Sequence, residues 1–241
     1  MNKFVYLFMF NLNEIRNFSI FITLISLILF SCKKNSNTIK PELYKSYFDV
    51  TQGRFIEYEV LEINHDENAS IQHDTLRYFL KIQIEDTILD NLGRINNKYV
   101  RYKRLNLNDP WMISDIWTTI IDGNNAEIVE ENQRTVKMKF PVDAYTNWDA
   151  TIFTNLSSLD CFYEDIHKAR TINGLSFDST VKVNQGSDRN LIRFYNKFER
   201  YAKGIGMIEK YYKDLNISNF DTLNISSGKE LYFKPIQFGI N

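Results

Sequence analysis

Between Leu76 and Ile84 every second residue is apolar. Leu76, Tyr78, Leu80, Ile82 and Ile84 fall on one side of an extended chain, and Arg77, Lys81, Gln83 and Glu85 on the other, with Phe79 the apolar exception. Side chains alternate across a strand with a period of two, so this pattern predicts a strand with one buried and one wetted face. A chain that repeats it must build a sheet whose apolar faces meet one another. It does repeat. Arg54–Asn64 sets Ile56, Tyr58 and Val60 against Glu57 and Glu59, and Lys98–Leu105 sets Val100 and Tyr102 against Arg101 and Lys103. Trp111–Ile121 is apolar on both sides, as a central strand would be. Glu127–Glu131 and Thr135–Phe140 flank Asn132-Gln133-Arg134 like a short hairpin, with Val136, Met138 and Phe140 inward.

Turn residues punctuate these runs at Gln52-Gly53, Asn91-Leu92-Gly93, Asp109-Pro110, Asp122-Gly123 and Asn173-Gly174. Asn64–His73 reads as a polar loop, and Pro141–Ser158, which loses alternation, as a long surface excursion. Leu159–His167 and Phe177–Val183 resume the β pattern, and Leu231–Ile240 is a terminal strand. Leu191–Ala202 fits helical spacing through Phe194, Phe198 and Tyr201, and strand spacing through Ile192, Phe194 and Phe198; Gly204-Ile205-Gly206 and Met207–Asp214 after it favour a strand and its hairpin partner. An aromatic content of 15% suits half-buried sheet surfaces. The expectation is a mainly β chain: a single antiparallel β domain over 43–241, either a curved sheet or open barrel or a sandwich, preceded by an N-terminal signal helix.

That preceding segment is Asn17–Cys32. Phe18–Phe30 is an apolar run interrupted only by Ser19, Thr23 and Ser26, with Lys3 and Arg16 before it and Lys33-Lys34 after it. It suits a signal h-region and is short for a spanning helix, which needs roughly 20 apolar residues. Leu29-Phe30-Ser31-Cys32 resembles a bacterial lipobox. The resemblance implies a signal peptide over 1–31, lipidation of Cys32, and a flexible tether over 32–42. Two or three acyl chains would anchor firmly, because each buried CH₂ contributes about 0.8 kcal/mol.

A second likeness runs over most of the remaining chain. It is carried by Tyr47-Phe48, Gly53 and Tyr58; Arg101-Tyr102-Lys103-Arg104; Pro110-Trp111 with Asp115-Ile116-Trp117; Val129–Asn132 and Lys137–Val142; Trp148; and Tyr201-Ala202 with Gly204-Ile205-Gly206. The pattern resembles a group of uncharacterised lipoproteins of Bacteroidota-type envelopes. It implies a lipid-anchored cell-envelope protein; Lys33-Lys34-Asn35 lacks the acidic export signal of such envelopes, which implies a periplasm-facing position in the outer membrane. Asp74-Thr75-Leu76, Asp86-Thr87-Ile88, Asp178-Ser179-Thr180 and Asp221-Thr222-Leu223 match the short pattern those envelopes O-glycosylate.

The chain carries 29 Lys and Arg against 30 Asp and Glu, and this balance disfavours a nucleic-acid partner. With Cys32 lipidated, Cys161 stands alone in an apolar stretch and reads as a small buried residue. Among the three histidines, His65 and His73 share the polar loop with Asp66, Glu67 and Asp74, at a spacing that matches no metal-ligand motif. Asp165 and His167 share a strand face, on the same strand as Cys161, where a row of side chains is not a triad. Gly204-Ile205-Gly206 lacks the third glycine of a nucleotide loop. No cofactor or metal is expected. Trp111, Trp117 and Trp148 could stack on a ligand, although packing suits at least two of them better. Two functions follow: a non-catalytic binding or assembly module, with a protein or small-ligand partner besides the membrane reached through Cys32, or an envelope hydrolase using the His65–Asp74 loop or Asp165/His167.

Overall fold

A computed structural model describes residues 42–241, which form one compact unit. The expected signal peptide over 1–31, Cys32 and all of the expected tether over 32–42 except residue 42 lie outside the described residues. Six strands come first: β1 (Arg54–Asp66), β2 (His73–Leu89), β3 (Ile95–Arg104), β4 (Met112–Asp122), β5 (Asn125–Glu130) and β6 (Gln133–Lys139). Six more follow: β7 (Asn147–Asp149), β8 (Asp160–Ile172), β9 (Leu175–Arg189), β10 (Arg193–Ala202), β11 (Gly206–Ser218) and β12 (Asp221–Ile240). The only helical element among the described residues is a 3-10 turn at Lys45–Tyr47. The ambiguous segment after Leu191 is strand β10.

All twelve strands form one antiparallel sheet in the order β6-β5-β4-β3-β2-β1-β12-β11-β10-β9-β8-β7. The first and last strands pair at its centre, and β6 and β7, consecutive in the chain, are its two edges. The sheet curls until those edges meet. Val136 N–H donates to Ala150 O at 2.9 Å. Trp148 Nε1 donates to Val136 O at 2.9 Å, and the Tyr163 hydroxyl accepts from Lys139 N at 3.0 Å and donates to Lys139 O at 2.7 Å. The result is a nearly closed barrel, not a sandwich, and the meeting of its edges covers backbone groups that would otherwise invite another strand.

This seam corrects the reading of Pro141–Ser158 as a surface excursion. Pro141, without an N–H, follows the end of β6. The chain then re-enters the core: Val142, Trp148 and Ala150 are buried, while Tyr145, Ile152 and Phe153 remain exposed. Besides a small buried cluster of Phe177, Ala202 and Ile208, two larger apolar clusters fill the barrel. One gathers Val136, Met138, Phe140, Trp148, Tyr163 and Val181 behind the seam; the other gathers Ile56, Tyr58, Val60, Leu80, Ile82 and Phe233 on the opposite wall.

On β2 the alternation holds for Tyr78, Leu80, Ile82 and Ile84, all buried, but Leu76 is 39% exposed. Leu76 pairs with Glu62, where β1 and β2 have run past the apolar core. Leu80→Ala is therefore expected to cost about 2–5 kcal/mol, and Leu76→Ala about 0.5 kcal/mol or less, in equilibrium denaturant unfolding. Trp111–Ile121 is likewise not a buried central strand throughout. Strand β5 pairs β4 only from Thr118 onward, which leaves Met112, Ile113 and Ile116 exposed on a stretch bordered by β3 alone.

One end of the barrel is covered by the segment that leads into β1. Lys45 Nζ donates to Gly123 O at 2.7 Å, Gly204 N–H to Ser46 O at 2.7 Å, and Val142 N–H to Leu43 O at 3.4 Å. Phe48 and Val50 thereby face the interior, where the two apolar clusters leave a space between them.

Candidate functional site

That space is a cavity of about 170 Å³. Its apolar wall includes Ile56, Ile82, Ile128, Met207 and Phe233, and its aromatic wall Tyr58, Tyr99, Trp117 and Tyr201. Asp49, Arg54 and Arg101 also line it, and four further charged side chains form one cluster within it. Lys137 Nζ lies 2.8 Å from Glu130 Oε1 and 3.7 Å from Glu199 Oε1; Lys210 Nζ lies 3.3 Å from the same Glu199 oxygen. The Tyr201 hydroxyl donates to Glu199 Oε2 at 2.8 Å. Glu199 is 2% exposed.

Bulges place both lysines. Ala126 pairs with Met138 and Glu127 with Val136, so Lys137 is the unpaired extra residue of β6 and turns inward beside Met138. Tyr201 pairs with Met207 and Arg200 with Glu209, so Ile208 is extra on β11. Met207 and Lys210, three apart, then both reach the cavity. Glu199 and Tyr201 come from regular alternation on β10.

Taking an ion pair out of water is expensive, and removing one partner of a buried pair is worse. Burial pushes the Glu199 carboxyl up, but Lys137 and Lys210 outweigh it and hold the group below the usual carboxylate range. Glu130 is held down in the same way against its burial. For Lys137, burial disfavours the charge and the two carboxylates more than restore it, so its pKa is raised. Burial, with the Glu130 and Glu199 carboxylates adding to it, raises Tyr99, which stays a neutral phenol.

The residues singled out from the sequence lie elsewhere. The loop is shorter than Asn64–His73: only residues 67–72 turn the chain, while β1 continues through His65 to Asp66, β2 begins at His73, and the two histidines are direct cross-strand partners. The backbone ladder simply extends beyond the apolar core, with polar side chains on it. His65 Nδ1 and His73 Nδ1 are 2.8 Å apart, and His65 Nε2 lies 3.0 Å from Glu230 Oε1, which also accepts from Tyr232 on its other oxygen. Five residues beyond Val60 on an unbroken ladder, His65 faces away from the cavity. Asp74 is exposed on β2 and joins neither ring. Among the described residues no serine or threonine hydroxyl and no thiol hydrogen-bonds either imidazole.

Asp165 and His167 share β8 but sit in a bulge, both with positive φ (51° and 59°). They engage different partners. Asp165 bonds Arg170 at 2.7 Å and Arg200 at 3.4 Å. His167 Nδ1 bonds the Tyr47 hydroxyl at 2.6 Å, which in turn bonds Ser179 Oγ at 2.7 Å, and its ring lies against those of Tyr44 and Tyr47. This contact ties the entering segment to the barrel. Cys161 is 1% exposed, and burial pushes its thiol up to about 12, so it is an unreactive core residue. Of the tryptophans, Trp148 is core, Trp111 lies beneath the Arg104 guanidinium at 4.0 Å, and Trp117 lines the cavity, stacked on Tyr99. Gly204 and Ile205 lie in the β10–β11 turn, and Gly206 opens β11. Among the described residues no cluster of three or more His, Cys, Asp or Glu side chains is arranged to hold a metal ion.

No protein-family model matches this sequence, and no curated protein matches it.

Proposed function

We propose that this chain is a lipid-anchored protein of the cell envelope, tethered through Cys32, whose barrel holds a small ligand and does not transform it. The observation that carries the reading is the state of the charged groups in the cavity. Proton transfer near neutral pH needs a group whose pKa lies near the working pH. Glu130 and Glu199 are held down as carboxylates and Lys137 is held up as an ammonium, so none is poised to exchange a proton. A partly apolar, concave space with a few convergent polar groups is the usual form of a small-ligand site. The lipobox-like Leu29-Phe30-Ser31-Cys32 supports the anchoring half of the proposal.

Two measurements test it. Metabolic labelling with a fatty-acid analogue should mark the parent and not Cys32→Ala; label retained by the variant removes the anchor. Native mass spectrometry of the full chain released gently from membranes should show a small bound molecule that Ile82→Phe, which fills the cavity, loses. A parent that carries no adduct, or an adduct kept by Ile82→Phe, places no ligand in the barrel.

A further inference from the structure

We infer that the ligand of this cavity is a small anionic amphiphile: an apolar group of about ring size inside the cavity, and a carboxylate-type head at Lys103 and Arg101. The inference rests on the binding reading above and adds the ligand's chemistry to it.

Every cation lining the cavity is paired, Arg54 with Asp49 at 2.8 Å among them, and the cation left over is Lys103, beside the cavity on the same strand as Arg101. Lys137 is matched by Glu130 at 2.8 Å, Lys210 by Glu199 at 3.3 Å, and Arg101 by Asp115 at 3.0 Å. Lys103 has no carboxylate within ion-pair distance among the described residues. It is nevertheless an inward-facing residue. It pairs across the ladder with Leu80, and Arg101 pairs with Ile82, both core residues on the inner face of β2. Its ammonium lies 4.0 Å from the centre of the Tyr78 ring, itself buried. A cation over an aromatic face is attracted by the ring quadrupole and is held in place without being neutralised. Glu62, to which the Tyr78 hydroxyl donates at 3.3 Å, is already engaged by Lys229 at 2.7 Å. Lys103 is thus half-buried, positioned and unneutralised inside the barrel.

Arg101 connects this cation to the cavity. It is part of the cavity wall, and its guanidinium lies 4.3 Å from the centre of the Trp117 ring. Lys103 stands two residues farther along the same face of β3, about 7 Å at strand rise. A head group there would meet both cations while its apolar part reached the space between Ile56, Ile82 and Phe233. A cavity of 170 Å³ is close in size to the roughly 150 Å³ void that accepts one benzene. An anion at Lys103 would supply the missing opposite charge in a partly desolvated setting, where charge-assisted contacts are strong. A cationic ligand would have to displace an existing partner.

The test is calorimetric titration of the full-length chain in phosphatidylcholine nanodiscs, with empty discs subtracted. The probes are 3-phenylpropionate, 3-phenylpropan-1-ol and 3-phenylpropylamine, which share an apolar part and differ in head charge. The propionate should bind at least about tenfold more tightly than the alcohol, and the amine most weakly. Lys103→Met should abolish the propionate's advantage and leave the alcohol unchanged; Lys103→Arg should keep it, which separates loss of charge from loss of fold. Equal binding of the three probes, or an advantage that survives Lys103→Met, overturns the anionic head but leaves the cavity as a binding site. If no probe binds the parent, this inference fails; the native-mass adduct then decides independently whether the binding reading fails too.

Discussion

Glu199→Ala is expected to destabilise the barrel by about 3–5 kcal/mol, since it removes one partner of a buried ion pair. The loss is not that of a single contact. Without Glu199, Lys210 loses its carboxylate at 3.3 Å, Lys137 keeps only Glu130, and the Tyr201 hydroxyl has no acceptor. A denaturant titration of parent and variant measures the difference. A loss under about 1 kcal/mol would mean that the remaining groups are satisfied without it. The same carboxylate gives the parent a pH dependence of definite sign. Its folded pKa is depressed, so the unfolded chain binds a proton more readily. The stability it contributes is present above the unfolded glutamate value of about 4.3 and is lost as pH falls below it. Glu199→Gln should flatten the stability profile across that window. An unchanged slope would show that other carboxylates set it.

Trp148→Ala is expected to cost about 3–5 kcal/mol, the range for deleting a large buried aromatic. Its particular consequence is at the seam. Trp148 is 6% exposed, its ring centre is 4.9 Å from that of Tyr163, and its Nε1 spans from β7 to the Val136 carbonyl on β6. The two edges share little backbone pairing, so side chains do much of the closing. The variant should unfold at lower denaturant and exchange the Val136 and Lys139 amides faster in hydrogen-exchange measurements. Trp148→Phe should recover the packing but not the hydrogen bond. If exchange at those amides stayed at parent rates while stability fell, the tryptophan would be filling the core without holding the seam.

The strands were legible because their physics is local. A period of two in Ile56, Tyr58 and Val60, or in Tyr78, Leu80, Ile82 and Ile84, is written in adjacent residues and survives any arrangement of the sheet. Turn glycines marked the hairpin ends for the same reason. Pro141–Ser158 was misread because its role is contributed by a distant partner: Trp148 is buried only because β6 lies beside β7. The cavity was less visible still. Alternation puts Val136, Met138 and Phe140 inward and so sends Lys137 out; a bulge reverses it, and nothing in the run Thr135–Phe140 announces a bulge. The paired signal available was the odd spacing of Met207 and Lys210 around Ile208, which becomes meaningful only once the partner strand is known.

By itself the sequence determined an antiparallel β chain with alternating faces and well-marked turns, because strand propensity, burial pattern and turn chemistry are properties of neighbouring residues. Tertiary structure decided that one sheet curls until its edges meet, that the histidines lie outside and the charged quartet inside, and that Lys103 is left without a carboxylate partner among the described residues. Those outcomes depend on register between strands far apart in the chain. A single extra residue on β6 or β11 exchanges inside for outside.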